Sequence, residues 1–102
     1  LILICKQISE MKNTITKSKL EKYYRITSRA FEVAKNSVAR EKKEKAREIL
    51  LMVSCYLEDS KYFKEKKDYV NSFACLNYAH GWLDSGARLK IFKVNDNKLF
   101  SV

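Results

Sequence analysis

A chain of 102 residues, 46% hydrophobic, is one domain (1–102) with room for a single core. It holds no proline and only two glycines, too few breaks for a many-turned β fold, so long helices are favoured. The formal charge of +9 points to polyanions (nucleic acid, an anionic surface, an acidic partner), although Lys and Glu enrichment also marks heat-stable surfaces.

The charge is uneven: residues 1–48 carry 13 Lys/Arg against 6 Asp/Glu, and residues 49–102 carry 8 against 6. The opening run Leu1-Ile2-Leu3-Ile4-Cys5 is apolar but too short for a signal-peptide core or a membrane span, and no membrane association is expected. Ile4, Ile8, Met11 and Ile15 recur at helical spacing and suggest a short preceding turn or a bent extension.

The first main helix is expected over about 18–36. Ser18-Lys19-Leu20-Glu21 matches a capping box at its start. Leu20, Tyr24, Thr27, Phe31, Ala34 and Val38 form a seam spaced 4, 3, 4, 3, 4 that faces one partner surface. Lys19, Lys22, Arg25 and Arg29 share an outer arc able to track a phosphate backbone. The helix ends near Asn36-Ser37 without a glycine or proline to mark the spot.

A second helix is expected over about 40–66. Ala46, Ile49, Leu50, Val53, Tyr56, Leu57, Ser60 and Phe63 line one face, and a thinner stripe holds Leu51, Cys55 and Tyr62. Two stripes imply contact on two sides, with another helix or a second copy. The basic residues Arg40, Lys42, Lys43, Lys45 and Arg47 are interleaved with Glu41, Glu44 and Glu48, which neutralise them through pairs one turn apart.

Lys66-Lys67-Asp68 is a polar break, and Asp68 is suited to cap a third helix over about 69–89. So short a connection makes the last two helices antiparallel. Cys75, Leu76, Tyr78, Ala79, Trp82, Leu83, Ala87 and Leu89 cover half of the third helix; Asn77, His80, Gly81, Asp84 and Arg88 gather opposite. Trp82, Tyr78 and Phe63 are expected in the core or under the tail, with an interface as the other reading. Gly81 and Gly86 each cost about 1 kcal/mol relative to alanine in a helix, which calls for a backbone or ligand approaching closely.

The tail, 90–102, changes period. Ile91-Phe92-Lys93-Val94 and Leu99-Phe100-Ser101-Val102 flank Asn95-Asp96-Asn97-Lys98 and read as a small β-hairpin. A lone hairpin is marginal in water, so it must lean on the helices, with the 1–5 run a candidate strand partner.

The three cysteines lack a C-x-x-C spacing, and one histidine cannot complete a zinc set. No metal, no cofactor and no disulfide framework are expected, and a reducing cytoplasm fits. Cys55 and Cys75 lie on neighbouring helices and could approach each other.

The strip Asn77, His80, Asp84, Arg88 has three readings: a structural network joined to Asp59 or Tyr62 next door, a solvated face, or a site for a small polar ligand or partner backbone with Gly81 allowing approach. As a site, Asp84 would fix the His80 tautomer and Arg88 would hold a carboxylate or phosphate. Catalysis is not expected, since no nucleophile, oxyanion nest, P-loop or Arg-x4–6-His ribonuclease motif is present.

Tyr56-x-x-Asp59-x-x-Tyr62-Phe63, then Asp68-Tyr69, then Tyr78-Ala79-His80-Gly81-Trp82-Leu83-Asp84 with Gly86 and Arg88, resembles a family of small archaeal helical proteins, domain of unknown function 357. The similarity covers roughly 46–94 and is densest from Tyr78 to Leu89. It implies a three-helix bundle, a cytoplasmic archaeal origin and no known activity. Lys67 departs from the family pattern, where glycine is expected before Asp-Tyr.

Together these observations predict an all-α three-helix bundle with antiparallel second and third helices and a short β-like tail. The expected role is a non-catalytic interaction module that binds a protein partner or self-associates. The alternative is a basic accessory protein that binds RNA or DNA.

Overall fold

The computed structural model describes residues 13–101. The expectations for Ile4, Ile8, Met11, the 1–5 run and Val102 lie outside the described residues. Three helices follow in order: α1 (Lys17–Lys35), α2 (Lys43–Glu65) and α3 (Tyr69–Arg88), with a 3-10 turn (Arg40–Lys42) leading into α2. Among the described residues there is no strand, and no helix is long and apolar enough to cross a membrane.

α1 starts two residues before the expected cap. The Thr16 hydroxyl accepts the Lys19 N–H at 3.2 Å, and Ser18–Glu21 falls inside the first turns. Glu21 instead meets Lys64 of α2 at 3.6 Å. At the other end side chains replace the missing glycine: Asn36 Nδ2 donates to the Glu32 carbonyl (2.9 Å), and Ser37 Oγ to that of Val33 (2.7 Å). The buried face is Leu20, Tyr23, Thr27, Ala30 and Ala34. The expected seam shares Leu20, Thr27 and Ala34 with it, but Tyr24 and Phe31 are only half-buried. A 3,4 and a 4,3 alternation both fit those shared positions. Tyr23, edge-on to Phe73 of α3 at 5.8 Å, fixes which is used.

α2 buries Ala46, Ile49, Val53, Leu57 and Ser60. It packs antiparallel to α3 with the most extensive contact in the molecule. Near the connecting turn the two backbones come close over serines: Ser72 Oγ donates to the Ser60 carbonyl (2.7 Å) and so accepts from Ser60 Oγ (2.9 Å). The turn itself is a Schellman motif, with Asp68 N–H bonded to Phe63 O and Lys67 N–H to Lys64 O. Lys67 stands in the left-handed region (φ 61°), a conformation that glycine adopts more freely than lysine. Asp68 then accepts the Asn71 N–H at 3.1 Å and caps α3 as expected.

α3 touches both other helices, whereas α1 and α2 barely meet. It ends in a second Schellman motif, with Lys90 at φ 59°, Lys90 N–H on Ala87 O and Ile91 N–H on Gly86 O.

The tail is not a hairpin. Among the described residues its one β-type pairing is the isolated antiparallel bridge Val38↔Phe92, with Ala39 N–H on Ile91 O (2.9 Å) and Lys93 N–H on Ser37 O (2.6 Å). The partner of the tail is thus the α1–α2 connection. Beyond it, Asp96 Oδ1 accepts the Lys98 N–H (2.8 Å) and Asp96 O the Phe100 N–H (3.1 Å), a turn that brings Phe100 back into the core. Ile91, Phe92 and Phe100 are all buried, too much apolar surface for a two-stranded ribbon to cover alone. Gly86 makes this possible: a Cβ there would stand 2.6 Å from Phe92 Cδ2.

Candidate functional site

α3 presents two surfaces, and the polar strip expected on it belongs mainly to the hidden one. His80 is 4% exposed and Asp84 8%. Neither joins Asp59 or Tyr62, which are exposed on α2. His80 Nε2 lies 2.8 Å from the Leu99 carbonyl. A carbonyl only accepts, so Nε2 carries a proton, and Nδ1 is hydrogen-bonded with Thr27 Oγ1 at 3.1 Å. Asp84 Oδ1 accepts the Ser101 N–H at 2.9 Å and stands 3.8 Å from His80 Nε2, so Leu99 rather than Asp84 selects the tautomer. Asp84 Oδ2 has no partner among the described residues. The pair therefore ties α1, α3 and the returning tail together, in the sense of a structural network but with different partners. An irregular segment that is buried needs such groups for its main-chain N–H and C=O. Their polarity alone placed these two residues on the solvent side of the helix.

The other surface was expected to be core. Tyr78 is 63% exposed and Trp82 38% exposed, and Leu89 is exposed as well. Tyr78 is stacked on Tyr56 of α2, with centroids 5.3 Å apart and planes 14° apart. Ala74, Asn77, Tyr78, Gly81, Trp82 and Ser85 line a groove of about 630 Å³ along the outside of α3. Gly81 forms its floor, and no described atom lies within 4 Å of where a Cβ would be. Asn77 and Gly81 thus face this groove, not the His80–Asp84 pair, and Arg88 is exposed at the end of the helix. Residues 69–83 hold no Asp, Glu, Lys or Arg in a chain that is 32% charged. The groove is uncharged as well as apolar.

A family model described as protein of unknown function (DUF357) matches residues 22–92. The chain belongs to this family. Comparison with curated proteins and with solved structures finds no significant match. The match reaches back into α1, further than the densest motif, and ends on Phe92, the bridge partner of Val38. It therefore spans His80, Asp84, Gly81 and Gly86 but stops short of Leu99 and Ser101, whose main chain the His80–Asp84 pair holds.

Elsewhere in this DUF357 chain, Lys22, Arg25 and Arg29 are exposed on one side of α1, and Lys19 is half-buried. Lys22 Nζ lies 5.7 Å from the ring centre of Tyr23. Among the described residues none of these four forms an ion pair. The second α2 stripe is in solvent, with Leu51 58% and Tyr62 56% exposed. Cys55 and Cys75 are both free thiols. Cys75 is half-buried, and burial first, then the negative charge of Asp59, pushes its pKa upward. No three His, Cys, Asp or Glu side chains gather for a metal among the described residues.

Proposed function

We propose that this DUF357 protein is a non-catalytic, cytoplasmic interaction module whose outer α3 face receives an amphipathic helical segment. The observation that carries the reading is Gly81. A glycine in mid-helix costs stability relative to alanine, and no described neighbour explains it. The hollow it leaves is flanked by Tyr78 and Trp82, the residue types that anchor interfaces, on a stretch without formal charge. A helix laid in such a groove presents apolar residues at i, i+3, i+4 and i+7. The non-catalytic part is supported by the engagement of His80 and Asp84 with the tail.

Placing a photo-crosslinking benzoylphenylalanine at Ser85, on the groove rim, in the full chain tests this. Irradiation in the source cells is expected to yield adducts with polypeptide segments of that apolar spacing, and a second substitution, Trp82→Glu, should remove them. Adducts with no shared spacing, or none, would end the proposal. Where the segment belongs to a second copy, light scattering should report dimers at micromolar concentration.

A second reading, RNA or DNA binding, is favoured by the exposed arc of Lys22, Arg25 and Arg29, which among the described residues forms no ion pair. It predicts affinity for generic RNA that falls steeply with salt and is abolished by Arg25→Glu with Arg29→Glu. Absence of binding at low salt excludes it.

A further inference from the structure

We infer that the outer face of α3 is closed by the same face of a second copy, the two helices running antiparallel about a two-fold axis. Tyr78 of each copy then sits over the other's Gly81, and Arg88 beside the other's Asp68. This rests on the reading of the groove as a helix-docking surface and names its occupant.

Charge selects the face. Two chains of +9 repel, so copies meet only where neither presents unpaired charge. Of the exposed side chains along α3, Arg88 alone is charged. The second α2 stripe is less suited, since Glu48 and Glu58 are among its exposed neighbours.

Shape selects the direction. An antiparallel crossing centred between positions 79 and 80 sets Tyr78 against Gly81 and Trp82 against Asn77, on both sides of the axis, and Val70 against Leu89 at the ends. The Tyr78 ring is exposed, and the space above Gly81 is open. Large side chains thus meet small ones or a gap. A parallel pair would oppose Tyr78 to Tyr78 and leave the two Gly81 hollows facing each other. In the antiparallel pair Arg88 falls opposite Asn71, whose side-chain amide lies 2.7 Å from Asp68 Oδ2. The one charge of the face so meets a carboxylate, and Asp68 forms no ion pair among the described residues. From Val70 to Leu89 the strip is about 28 Å long, and a helix is about 10 Å across. Contact of that extent lies at the lower end of specific interfaces, about 1,200 Å² in total, so the dimer should dissociate in the micromolar range.

No described atom lies within 4 Å of a Cβ at position 81, so Gly81→Leu fills the hollow without crowding its own chain. Sedimentation equilibrium of the purified full chain should show a reversible dimer. Gly81→Leu should raise its dissociation constant about tenfold or more, with no loss of helix by circular dichroism. In the purified protein, benzoylphenylalanine at Ser85 should link two copies, with the adduct at or next to Ala74. Within one chain those positions are about 17 Å apart along the helix, out of the probe's reach. The adduct position tests the pairing however Gly81→Leu folds. A monomer up to hundreds of micromolar, a dimer that a folded Gly81→Leu leaves unchanged, or a link anywhere other than beside Ala74 would each overturn the inference. A monomer whose Ser85 probe still captures helical segments of other polypeptides in the source cells overturns it and leaves the helix-docking reading standing. A monomer with no adduct in either setting ends both.

Discussion

Replacing Gly86 with alanine tests whether the tail is seated by close approach to α3. Alanine gains about 1 kcal/mol over glycine in a helix interior. Against this, the new Cβ would stand 2.6 Å from Phe92 Cδ2 and 3.3 Å from Ile49 Cδ1. The Ile49 methyl is the end of a flexible side chain and can turn aside. The Phe92 ring is 1% exposed and has no room to retreat. Overpacking of this kind costs about 1–3 kcal/mol, and a rigid ring belongs in the upper part of that range, so the net effect is a loss of about 1–2 kcal/mol. The sign reverses once the ring is gone. Phe92→Ala alone loses about 3–5 kcal/mol; adding Gly86→Ala to it should recover about 1 kcal/mol through helix propensity. The coupling, about 2–3 kcal/mol, is of the size found for residues in contact. Urea unfolding of the four chains, followed by far-ultraviolet circular dichroism, measures it. An equal effect of Gly86→Ala in both backgrounds would refute the seating of Phe92 against Gly86.

Three further outcomes are expected. Lys67→Gly and Lys90→Gly should each raise stability by about 0.5–1 kcal/mol in the same assay, because both lysines hold a left-handed conformation that glycine adopts freely; a loss at either position would contradict its place in a Schellman motif. Asp84→Ala should cost about 1–3 kcal/mol and speed hydrogen exchange at the Ser101 amide, since the buried acceptor of that N–H is removed; unchanged exchange would separate Asp84 from the tail. In alkylation followed by mass spectrometry, Cys55 should react ahead of Cys75. The raised pKa leaves Cys75 with less thiolate at a given pH, so its rate keeps climbing at alkaline pH where that of an unshifted thiol levels off. Equal rates with equal pH profiles would contradict its burial.

The three helices were legible because their apolar spacing and the Lys66–Asp68 break are local properties of the chain. The α1 seam was ambiguous by one residue, since two alternations share Leu20, Thr27 and Ala34, and only the Tyr23–Phe73 contact decides between them. Gly86 was correctly read as a point of close approach, though not what approached it. The left-handed backbone at Lys67 carries no signal in this chain's own residues, since lysine is not a residue that favours that conformation. The tail failed for a physical reason: alternation of apolar residues looks the same whether a segment pairs with itself or threads into helices. Once it threads in, its main chain needs polar partners, and this drew His80 and Asp84 inward. A helical wheel that sorts residues by hydropathy cannot register such a demand. It therefore put Tyr78 and Trp82 where His80 and Asp84 belong.

The bridge between Val38 and Phe92 sets an order on biosynthesis. While the ribosome is still adding α3, the α1–α2 connection has no strand to fasten to, and Tyr23, Thr27 and Leu20 have only the forming helices to cover them. The antiparallel α2–α3 pair needs only near neighbours and can assemble early, whereas closure of the α1 side waits for residues 91–101 to leave the exit tunnel. A truncated or stalled product ending before residue 91 would carry its apolar interior open on one flank, a form that quality-control proteases would recognise.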